Sequence, residues 1–189
     1  MNKKGKYVYD WPRPMVTVDA AVFDFFNPST PLRIDGKRGR TVKNRVKLLL
    51  IRRRHTPFKG KWALPGGFIG INEELEDAVV RELAEETGLT DIPLKQMHTF
   101  GKCGRDPRGR QITIVFMGIA HKNKNKIKAG DDAEKAQWFD IKKLPCNMAF
   151  DHDKVAAFAI AALRSSTSLR RTRKQLKRKK AYVARASSS

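Results

Sequence analysis

The chain has 189 residues with 40% hydrophobic content, which suits a single cored domain with extensions. A formal net charge of +21 favours polyanionic partners, whether nucleotides, nucleic acid or anionic surfaces. Cys103 and Cys146 form no CxxC pair and join no zinc-spaced cluster, the basic N-terminus leads into no apolar signal core, and the apolar run 156–163 is too short to span a bilayer, so disulfide, zinc and membrane-spanning classes are excluded and a cytoplasmic protein is expected.

A polar lead, residues 1–11, passes into Trp11-Pro12-Arg13-Pro14, where two prolines enforce an extended path into a domain expected over 12–163. Met15 to Phe25 is rich in β-branched and aromatic residues and reads as a strand, and residues 27–41 carry the Asn-Pro and Asp-Gly chemistry of a loop or hairpin. Val46 to Ile51 reads as a short buried strand that delivers Arg52, Arg53 and Arg54, which suit a solvated rim and a phosphate contact equally. Trp62 to Gly67 is extended, then breaks at Pro-Gly-Gly, a turn that lets backbone approach a ligand closely.

From Glu74 to Thr87 the apolar residues Leu75, Ala78, Val79 and Leu83 repeat at helical spacing. Asn72 is the expected N-cap and Gly88 the left-handed stop. On this helix Glu82, Glu85 and Glu86 fall at i, i+3 and i+4, which gathers three carboxylates on one face. Uncompensated they would repel, and a hard divalent cation is the partner that such oxygen donors seek.

Further strands are expected over Ile92 to Phe100, Gln111 to His121 and Gln137 to Asp140. Between the first two lies the loop 101–111, whose Arg105, Arg108 and Arg110 suit bidentate diphosphate binding or a solvated surface alike. Asp131, Asp132 and Glu134 stand just ahead of the last strand, and His152 to Leu163 reads as a helix burying Val155, Phe158, Ala159 and Ala162. Residues 164–189 hold ten Lys or Arg and no acid; they read as a helical extension, a nucleic-acid-binding arm or a disordered tail. His55, His98, His121 and His152 have no catalytic spacing to a Cys or Ser, so no nucleophilic role is assigned.

Gly67 to Leu89 fills every fixed position of G-x5-E-x7-R-E-U-x-E-E-x-G-U, with U an aliphatic residue, and so resembles the Nudix hydrolase family. That resemblance implies an α/β fold in which a mixed β-sheet is sandwiched between helices, and hydrolysis of a nucleoside diphosphate linked to a second group. It implies magnesium, or alternatively manganese, held by Glu82, Glu85, Glu86 and the backbone carbonyl of Gly66, with Asp132 or Glu134 completing the set. Arg81 is then expected to orient Glu73 or Glu85, and the general base is either Glu82 or one of Asp131, Asp132 and Glu134.

A narrower likeness, to ADP-ribose pyrophosphatase-like members, rests on PRPMVTVDAAVF, PFKGKWALPGGF, GRDPRGR, GDDAEKAQWF and AFDHDKV and covers about Pro12 to Leu163. The subgroup includes Nudix domains of NAD metabolism and sugar-responsive regulators with a winged-helix domain, for which residues 164–189 are too short and too polar. The likeness implies ADP-ribose as substrate, giving AMP and ribose 5-phosphate, and a homodimer. Arg53, Arg105 and Arg108 are the candidate phosphate contacts, while Tyr9 or Trp11 would stack on adenine or pack at the dimer interface. Two alternatives stand beside it: an RNA 5′-end pyrophosphohydrolase using the basic tail as a nucleic-acid contact, and a non-catalytic phosphosugar-sensing interaction protein.

Overall fold

The computed structural model describes residues 10–26, 45–120, 127, 129–130 and 133–165. The chain divides into two compact units, Met1–Asp153 and Lys154–Ser189. Among the described residues the first unit holds one mixed sheet of seven strands: β1 Met15–Phe26, β2 Arg45–Arg53, β3 Trp62–Ala63, β4 Gly66–Phe68, β5 Leu94–Phe100, β6 Gln111–Ala120 and β7 Ala133–Asp140. Helix α1 spans Leu75–Thr87 and a second helix, α2, covers 152–165. The architecture is α/β, as expected. No helix among the described residues is long and apolar enough to cross a membrane.

Strand β1 is the axis of the sheet. It pairs in parallel with β6 from Met15↔Gln111 to Asp24↔Ala120. Its other edge is shared, antiparallel, by β4 at Thr17–Asp19 and by β2 at Phe23–Phe26. Strands β3 and β7 extend the sheet from β2, and β5 pairs with β6. Because side chains alternate along a strand, Val18, Ala20 and Val22 share one face, and there they pack with Ala78, Val79 and Leu83 of α1. Each such Val or Leu withdrawn from water contributes about 1.5–3 kcal/mol. Thr17 and Asp19 belong to the opposite pleat, which turns two buried polar side chains away from that core.

Helix α1 begins later than its sequence suggests. Asn72 is not the N-cap: it lies in a turn at 71–72 that Glu73 closes, its N–H donating to the Gly70 carbonyl and its Oε2 accepting from the Gly70 N–H at 2.7 Å. Glu74 then takes the cap position without a side-chain bond, while Glu76 and Asp77 in the first turn complement the helix dipole. The C-terminal end is as expected, with Gly88 at φ 70° donating to the Ala84 carbonyl.

Two further expectations are corrected. Strand β7 starts at Ala133, so Glu134 lies within it rather than ahead of it, while Asp131 and Asp132 fall outside the described residues. On α2 the buried apolar residues are Val155, Ala156, Ala159, Ile160 and Leu163, whereas Phe158 is 41% exposed and Ala162 only partly covered. The apolar stripe runs one position off the assigned one, so small alanines take buried sites and the larger ring faces outward. Just before β7, Gly130 donates its N–H to the Glu86 carbonyl at 3.3 Å, and a Cβ there would overlap the Glu85 carbonyl. Only glycine permits this approach of backbone to α1.

Candidate active site

A cavity of about 300 Å³ opens beside β1, with Asp19, Glu82 and Glu86 in one wall and Arg53, Arg105 and Arg108 in the other. The acidic wall depends on the Gly66-Gly67 pair. Gly66 has φ 155°, and a Cβ there would strike the Val18 carbonyl and Asp19. At Gly67 a Cβ would collide with the Glu82 carboxylate. The missing side chain of Gly66 therefore lets β4 lie close against β1, and that of Gly67 leaves room for the Glu82 carboxylate.

Glu86 is 6% exposed and accepts from the Gly66 N–H at 2.9 Å. Burial pushes its carboxyl up to about 8, against the pull of the Gly66 bond and with help from Glu82 and Asp19. Asp19 is raised to about 7, chiefly by burial, and its Oδ2 has no hydrogen-bond partner. His152 accepts the Leu64 N–H on Nδ1 at 2.9 Å, which leaves its proton on Nε2, 3.8 Å from Asp19 Oδ2. Burial, reinforced by Arg105, lowers this imidazole to about 4, so it is neutral at pH 7.

Arg81 organises the outer side of α1. Its guanidinium donates to Glu73 Oε1 and Oε2 at 2.7 and 3.0 Å, to Glu82 Oε1 at 2.7 Å, to Glu85 Oε2 at 3.1 Å and to the Phe68 carbonyl at 3.1 Å. It thus holds both of the acids between which the sequence left the choice, and Glu82 as well. The bond from Arg81 holds Glu73 down at about 2. Glu85, with its side chain 59% exposed, faces outward to Arg81, whereas Glu82 and Glu86 face the cavity.

Among the described residues no three His, Cys, Asp or Glu side chains converge on one ion position as they stand. The donors that share the cavity nevertheless fit a hard divalent cation: Asp19, Glu82 and Glu86 offer only oxygen, Asp19 Oδ2 is unsatisfied, and burial together with neighbouring acids disfavours the charge of Asp19 and Glu86. Glu134 is turned elsewhere, 3.6 Å from Arg52, and does not line the cavity.

The basic wall is less uniform than its composition suggests. Arg105, with its side chain 4% exposed, is clasped by both oxygens of Asp151 at 2.7 and 3.1 Å and also donates to Thr113. Thr113 in turn bonds Thr17 at 2.7 Å, and Gln111 donates to Thr17 at 2.9 Å. Arg105 is therefore bound into a buried polar network. Arg108 pairs with Asp106 at 2.7 Å, its guanidinium 5.0 Å from the centre of the Phe68 ring and 5.2 Å from that of Phe150. Arg53 stands 5.1 Å from the Phe150 centre, and burial, followed by repulsion from Arg108, lowers its proton affinity. Two cations crowded on one ring are the setting that an anionic ligand relieves.

Sequence reasoning missed Asp19, Phe68, Asp106, Phe150 and Asp151. Only Asp19 left a signal, as an acid inside the apolar strand run Val16 to Phe23. Tyr9 lies outside the described residues, and Trp11, 80% exposed, does not line the cavity.

Residues 37–159 match the family described as NUDIX domain. Over 109 residues the chain is 49% identical to the ADP-ribose pyrophosphatase of Methanocaldococcus jannaschii, covering 58% of this chain and 63% of that protein. Over 161 residues it is 30% identical to the ADPR responsive transcriptional repressor NtrR of Acinetobacter baylyi, covering 84% and 58%. The chain thus spans about three fifths of the length of these curated relatives. Among solved structures, the NUDIX domain of Shewanella oneidensis NrtR complexed with ADP ribose aligns with a TM-score of 0.65 at 27% identity, covering 85% of this chain and 95% of that one.

Proposed function

Since the chain belongs to the NUDIX domain family, we propose that it is a divalent-cation-dependent pyrophosphohydrolase that cleaves ADP-ribose to AMP and ribose 5-phosphate. The observation that carries this reading is that one cavity is lined both by Asp19, Glu82 and Glu86 and by Arg53 and Arg108. Such a polarised cleft suits a diphosphate, which needs cations on its oxygens and acids to hold the ions that accompany it. The choice of ADP-ribose leans on the two relatives whose names carry it and on the neighbour that binds it.

Glu82, Glu86 and the Gly66 carbonyl would hold magnesium, with Asp19 beside them. When bound, the ion neutralises charge on the diphosphate and makes water a better nucleophile. Arg108, fixed between two rings, and Arg53 bind the non-bridging oxygens and set the phosphorus for in-line attack. Glu82 is the general base in this scheme: it takes a proton from the attacking water as the P–O–P bridge breaks, and the departing phosphate keeps the bridging electrons. Arg81 positions Glu82 and, through Phe68, the end of β4. Asp151 acts through Arg105 to hold the floor of the cavity.

The alternative to this reading is a sensing role without turnover. Its discriminating measurement is product analysis of ADP-ribose, other nucleoside diphosphate sugars and 5′-triphosphorylated RNA incubated with protein and magnesium, beside Glu86→Gln. Release of AMP from ADP-ribose that disappears in the variant supports the enzyme; intact ADP-ribose with the wild-type chain removes it and leaves binding.

A further inference from the structure

We propose that Phe68 is the platform on which the nucleobase of the substrate stacks, an inference that deepens the reading of the chain as an ADP-ribose hydrolase and rests on it. Phe68 is a large apolar ring, 44% exposed, that lines the cavity beside its charged residues. An exposed ring commonly shifts with its loop, but this one is pinned. Its backbone pairs with Thr17 of β1, and its carbonyl accepts from Arg81 at 3.1 Å.

The chemistry around the ring points to a flat, electron-rich partner. Arg108 lies 5.0 Å from the ring centre, and beyond it come Phe150 and Arg53, so ring and guanidinium alternate in one column. Asp106 grips Arg108 through both carboxylate oxygens, which keeps the cation beside Phe68. A cation on one face draws electron density towards itself and leaves the other face better suited to stacking against a purine. The column is also held where the backbone resists it. Phe150 has φ 51°, and Phe58, whose ring meets that of Phe150 at 4.7 Å, has φ 64°; bulky residues rarely occupy this region.

Position along the strand supplies the register. Gly66 and Phe68 lie two residues apart on β4, so they share one face about 7 Å apart. A base on Phe68 therefore leaves its 5′-diphosphate within reach of Glu86, which is bonded to the Gly66 N–H. Trp11 and Tyr9 are not needed for this contact.

The test compares wild type, Phe68→Ala and Phe68→Trp for ADP-ribose hydrolysis and for inhibition by the two products. AMP carries the base; ribose 5-phosphate does not. Stacking predicts that Phe68→Ala raises the KM for ADP-ribose and the inhibition constant of AMP by about tenfold, with kcat within about twofold and inhibition by ribose 5-phosphate unchanged. Phe68→Trp should restore both, and its added fluorescence, measured against wild type, should be quenched by AMP and not by ribose 5-phosphate. If the two products lose affinity together, or AMP inhibition is unaltered, the platform is disproved although hydrolysis stands. Should wild type not hydrolyse ADP-ribose, the activity assignment fails alone, and the quenching titration decides the platform: an AMP-specific signal upholds it and silence overturns it.

Discussion

The acidic wall of the cavity comes mainly from one continuous stretch, Gly66 to Glu86, whereas the basic wall is gathered from the end of β2, the loop between β5 and β6, and the residues ahead of α2. In the first, local geometry does most of the work: a glycine turn and a helix put Glu82 and Glu86 where their spacing says they will be. In the second, arginines that look alike in sequence have unlike fates. Arg105 is buried on Asp151, and Arg108 is presented to the cavity between two rings. Composition locates a basic wall, but only tertiary pairing separates the arginines that support it from those that face a ligand.

The sharpest way to break this contrast is to remove one charge from each wall. Glu86→Gln should lower kcat by about 100-fold or more while leaving the fold intact, as measured by steady-state kinetics beside circular dichroism. Arg105→Ala should act on stability instead. It strands the acid of Asp151 in a buried pair and should cost about 3 kcal/mol, read from the urea midpoint. Arg108→Ala reverses that pattern, with KM for ADP-ribose raised about tenfold and stability changed by less than about 1 kcal/mol. An Arg108 variant as destabilised as the Arg105 variant would erase the distinction between the two residues.

A pH experiment tests the acidic wall without mutation. In chelator, Glu86 holds its proton to about 8 instead of its ordinary 4.5, and Asp19 to about 7 instead of 3.8. The folded form then binds protons that the unfolded chain releases. The stabilisation is complete below the unfolded values and is lost as pH rises through the folded ones. His152 works the other way, losing stability as pH falls from its ordinary 6.5 to about 4. Melting temperature in chelator should therefore fall between pH 6.5 and 8.5, and magnesium should flatten the slope; a slope indifferent to magnesium would count against an ion at these acids. The smallest effect expected is that of Asn72→Ala, within about 0.5 kcal/mol, since a true cap would cost about 1 kcal/mol.

These outcomes follow the line between what the chain states locally and what it states only when folded. Helix α1, its Gly88 stop and strand β1 were legible because spacing and turn chemistry act over a few residues, whereas spacing grouped Glu82, Glu85 and Glu86 alike and did not show that Glu85 turns outward to Arg81. The N-cap was misread because Glu73 closes a turn on Gly70, which places Asn72 before the helix rather than at its start. Glu134 was misplaced because Ala133 is already strand, paired with Arg53 across a register shift. Asp151 and Asp106 gave no signal because an acid reveals its arginine only in three dimensions. Asp19 could have been found, since an ionisable side chain in a buried strand requires a partner.

The seat of Gly130 on α1 bears on how this architecture tolerates change. With its N–H on the Glu86 carbonyl and no room for a Cβ, Gly130 fixes the chain three residues before β7 begins. Any side chain at this position would have to part the chain ahead of β7 from the helix that carries Glu82 and Glu86, so their spacing rests on the absence of one carbon atom.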